Sequence, residues 1–139
     1  VSYRELDVNG LEFVFPTTSP VQFDPVAAHA SIDRIMSYQP RHAYLTHYSQ
    51  IANLARHAES MHDLIDAHVE IAQAAKNDVS NRQYVISEAL SNLLLQRLAE
   101  HGCRLPRPEL DELLRSDIRL NTLGLIHWLD HPAERFKRL

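Results

Sequence analysis

Pro40-Arg41-His42-Ala43-Tyr44-Leu45-Thr46-His47-Tyr48 is the stretch whose reading decides the expected fold. Pro40 ends a helical pattern, a short apolar run follows, and His47 stands where that run stops. Ala43-Tyr44-Leu45-Thr46 is too short for a helix and mixes aromatic and β-branched residues, so it reads as a buried strand. His47 would then lie at the carboxyl end of a strand set between two helices. Open α/β sheets place their ligands and chemistry there. A histidine in that place can also cap the helix that follows, and the residues leading up to it decide between the two.

Upstream, residues 3–8 and 11–15 are strand-like runs on either side of Asn9-Gly10, a strong hairpin signal. Leu11, Phe13 and Phe15 share one face of the second run. Two strands cannot bury such a face alone. With Leu45 it forms an apolar surface expected to be covered by other protein, either a missing half or a symmetric copy. Asp24-Pro25 starts a helix, with a carboxylate at the N-cap and proline at the first helical position. Ala28, Ile32, Ile35 and Met36 form its apolar stripe, which predicts a helix over 25–38.

Downstream, the period changes. Ile51, Leu54, Ala55, Ala58, Met61, Ile65, Val69 and Ala72 predict a long amphipathic helix from about 49 to 76. Ser80-Asn81-Arg82-Gln83 resembles a capping box. The helix after it is closed by Gly102. Two shorter helices are expected over about 109–115 and 118–130, before His131-Pro132. The domain reading is 1–48 as an αβ portion and 49–139 as a helical region.

The 139 residues carry a net charge of −4, and the longest basic run is Arg135-Phe136-Lys137-Arg138. Nucleic acid is therefore an unsuited partner, because phosphate binding needs a concentrated basic face. The single cysteine, Cys103, excludes an internal disulfide and suits a reducing, cytoplasmic setting. No apolar run is long enough to span a membrane. The chain opens in mid-pattern on Val1-Ser2-Tyr3-Arg4, and the expectation is a piece of something longer.

Nine histidines invite a metal reading. His57, His62 and His68 lie on one predicted helix, but none are four apart, the spacing that puts two ligands on one face. His62 and Asp66 are four apart and read as a solvated surface pair. Cys103 follows a helix-ending glycine with only Arg104 beside it and reads as incidental. There is no His-Glu-x-x-His, no Cys-x-x-Cys, no phosphate-binding glycine loop and no nucleophile elbow.

Leu11-Glu12-Phe13-Val14-Phe15-Pro16-Thr17-Thr18-Ser19-Pro20-Val21-Gln22-Phe23-Asp24-Pro25, then a helix, then Ala43-Tyr44-Leu45-Thr46-His47-Tyr48, resembles the C-terminal half of a metallo-β-lactamase-fold hydrolase. The likeness covers about residues 3–75, and the later helices resemble the extension many members carry over the active-site mouth or at a dimer contact. It implies an α/β fold, the second half of an αββα sandwich followed by a helical extension. It also implies a metal-dependent hydrolase of a small-molecule substrate, with one or two zinc ions, iron being possible, and His47 as a metal ligand. The family's His-x-His-x-Asp-His motif is absent here, so this chain alone is expected to be inactive. Two alternatives stand beside it: a non-catalytic helical module for dimerisation or partner binding, and a superfamily oxidoreductase with a di-iron site.

Overall fold

A computed structural model describes residues 1–131. The basic run at 135–138 lies outside the described residues. Four helices dominate: α1 (Pro25–Ser37), α2 (Leu54–Ala74), α3 (Arg82–His101) and α4 (Arg107–Asp130). The only sheet among the described residues has two strands, β1 (Ala43–Tyr44) and β2 (Gln50–Ile51), paired antiparallel with Ala43 opposite Ile51.

The α/β expectation is thereby overturned. The described chain is 62% helical and is not part of an αββα sandwich. The failure begins at the expected N-terminal hairpin. Asn9 and Gly10 do make the turn, with φ of 53° and 73°, the signs a type I′ turn needs. Beyond it only one bridge forms, Val8 to Leu11. Arg4–Leu6 coil into a 3-10 turn that buries Leu6 completely. Phe13 and Phe15 turn into the helices, at 7% and 0% exposure. The apolar face expected to need an outside partner is therefore covered largely by the chain's own helices, with Phe13 edge-on to His101 of α3. Burying two phenylalanines against helices removes more apolar surface from water than an isolated hairpin can.

The main core joins Leu6, Phe13 and Phe15 to Leu64 and Ala72 of α2, Ile86, Leu90, Leu94 and Leu98 of α3, and Leu114, Leu125 and Trp128 of α4. The leucines of α3 recur every fourth residue, which keeps them on one face. α3 and α4 run antiparallel. Arg82 at the start of α3 grips Asp130 at the end of α4 with two bonds of 2.8 and 3.0 Å.

Helix ends follow local chemistry in two places and depart from it in three. The Asp24 carboxylate accepts the N–H of Ala27 at 3.0 Å. Gly102 closes α3 at φ 95°, and the Cys103 N–H reaches back to the Leu98 carbonyl, a Schellman closure. By contrast, α2 begins at Leu54 and not near 49, because Tyr48 and Ser49 have positive φ and reverse the chain into β2, and Asn53, also at positive φ, stands at the N-cap of the helix. No side-chain cap forms at Asn81, so the capping box is absent. The two helices expected beyond residue 108 are one, since Ser116 and Asp117 do not break it.

One seam fastens the N-terminal segment to α4. Asn121 is buried and makes three bonds to residues 16–18. Its Oδ1 accepts the Thr18 N–H at 2.9 Å, its carbonyl accepts the Thr18 hydroxyl at 3.0 Å, and its Nδ2 donates to the Pro16 carbonyl at 3.1 Å. Gly124, one turn on, lets the Thr18 carbonyl lie against the helix backbone.

Candidate functional site

His47 lies in the turn that joins β1 to β2. Residues 45 and 46 are not part of the strand. Leu45 donates its N–H to the Ser49 carbonyl at 2.9 Å, and the φ values of 92° at Tyr48 and 48° at Ser49 turn the chain sharply after His47. These conformations are uncommon for residues other than glycine. The His47 side chain is exposed. Its backbone carbonyl accepts the Ser2 N–H at 3.4 Å. It does not cap α2, which starts seven residues later.

The other histidines divide by environment. His57 meets the half-buried Glu12, Nε2 to Oε2 at 3.4 Å, and Ala52 donates its N–H to the other carboxylate oxygen at 3.2 Å. Burial pushes the Glu12 carboxyl up, but these donors and its own backbone N–H outweigh burial and hold it below the usual range. Glu12 also borders a cleft of about 190 Å³ with Arg56, Asp63, Arg97, Glu100 and His101. That space is below the few hundred cubic ångströms a small-molecule site usually encloses.

His68 is fully buried, and its Nδ1 faces the Leu64 carbonyl at 2.7 Å. A carbonyl can only accept, so Nδ1 carries the proton and Nε2 faces Asn121 Nδ2 at 3.5 Å. Burial pushes its pKa down to about 4, so it is a neutral member of the seam around Asn121.

The expected His62–Asp66 surface pair does not form. His62 meets Asp33 of α1 at 3.2 Å, while Asp66 meets His29 of α1 at 3.0 Å. The two rings face each other, Nδ1 to Nδ1, at 2.5 Å. Sequence spacing along α2 alone misses this cluster, since its centre lies between two helices. The available signal was His29 itself, which flanks the apolar stripe of α1.

Among the described residues no three His, Cys, Asp or Glu side chains converge to hold a metal ion. Zinc takes three or four protein ligands, so the residues present do not by themselves form a metal centre around His47. No described helix is long and apolar enough to cross a membrane. Comparison with protein-family models, with curated proteins and with solved structures returned no match.

Proposed function

We propose that this chain is the C-terminal part of a metal-dependent hydrolase of the metallo-β-lactamase superfamily, with His47 as a ligand whose partners lie outside these residues. The proposal concerns the chemistry of His47 and not the architecture, which is helical. What carries it is the presentation of Thr46-His47-Tyr48: an exposed imidazole on a tight, hydrogen-bonded turn between the two short strands β1 and β2. A ligand awaiting partners must be accessible, and a structured turn fixes its position better than a loose loop. The metal, zinc or else iron, would supply activated water when bound. His47 would help to hold it. The substrate is a small molecule, and a cytoplasmic setting suits the single free cysteine, Cys103.

The test is hydrolytic rate in the longer protein that includes these residues. His47→Ala is expected to lower it by orders of magnitude with little change in melting temperature. A rate within twofold of the parent would sink the reading.

A second reading, a non-catalytic module for partner binding or dimerisation, draws on α1. That helix contributes no buried residue and leaves Val26, Ile35 and, at its C-cap, Tyr38 exposed.

A further inference from the structure

We draw no further inference here: the strongest candidate, the outward surface patch of α1 where Val26 and Ile35 stand exposed, carries nothing because no feature of the described residues shows what covers it.

Discussion

A Cβ atom built on Gly124 would stand 1.4 Å from the carbonyl oxygen of Thr18, and 2.6 Å from its carbonyl carbon. Both obstacles are backbone, and both belong to a loop that Asn121 holds with three hydrogen bonds. Neither side can yield without breaking the seam. Gly124→Ala therefore overpacks a site that cannot relax. Although alanine is the better helix former, the variant should lose about 3 kcal/mol, measured by urea unfolding. Unchanged stability would mean that residues 16–19 do not lie against α4.

Asn121 is the second half of the same seam. Asn121→Leu keeps the volume but leaves the buried Thr18 N–H and Pro16 carbonyl without partners. Each orphaned group costs about 1–3 kcal/mol. The loss should exceed that of Thr18→Val, which removes only the hydroxyl bond. Equal losses in the two variants would show that the Asn121 side chain does not bridge to the loop.

This seam also shows what the sequence could and could not disclose. The Asn9-Gly10 turn, the Asp24-Pro25 start and the Gly102 stop were legible because each is decided within a few residues. Asn121 and Thr18 are 103 positions apart, and no local pattern joins them. The alternation of Leu11, Phe13 and Phe15 read as a strand, yet which surface would bury those rings depended on α3 and α4. The buried strand read over 43–46 was not legible as it stands: β1 is two residues long, pairs with β2 and leaves Tyr44 exposed, because among the described residues no larger sheet lies there to cover it. The His29–His62 contact spans two helices and stood outside any single helical period.

His68 gives a pH dependence with a definite sign. Its pKa is about 4 in the folded chain against 6.5 as the ordinary value. Below 6.5 the unfolded chain therefore binds a proton that the folded chain refuses, and stability falls as pH falls. The contribution is intact above 6.5, declines between 6.5 and about 4, and levels off below. At about 1.4 kcal/mol per pH unit the full effect is roughly 3 kcal/mol. His68→Gln should flatten this part of the profile. An unchanged slope between the two chains would place the charge change elsewhere.

The central claim is that His47 is a metal ligand, and metal content tests it without assuming a substrate. Elemental analysis of the longer protein should give one or two zinc or iron ions per protomer. His47→Ala should lose metal while melting within a few degrees of the parent, and the surface variant His42→Ala should keep its metal. Full metal content in His47→Ala would contradict the claim outright.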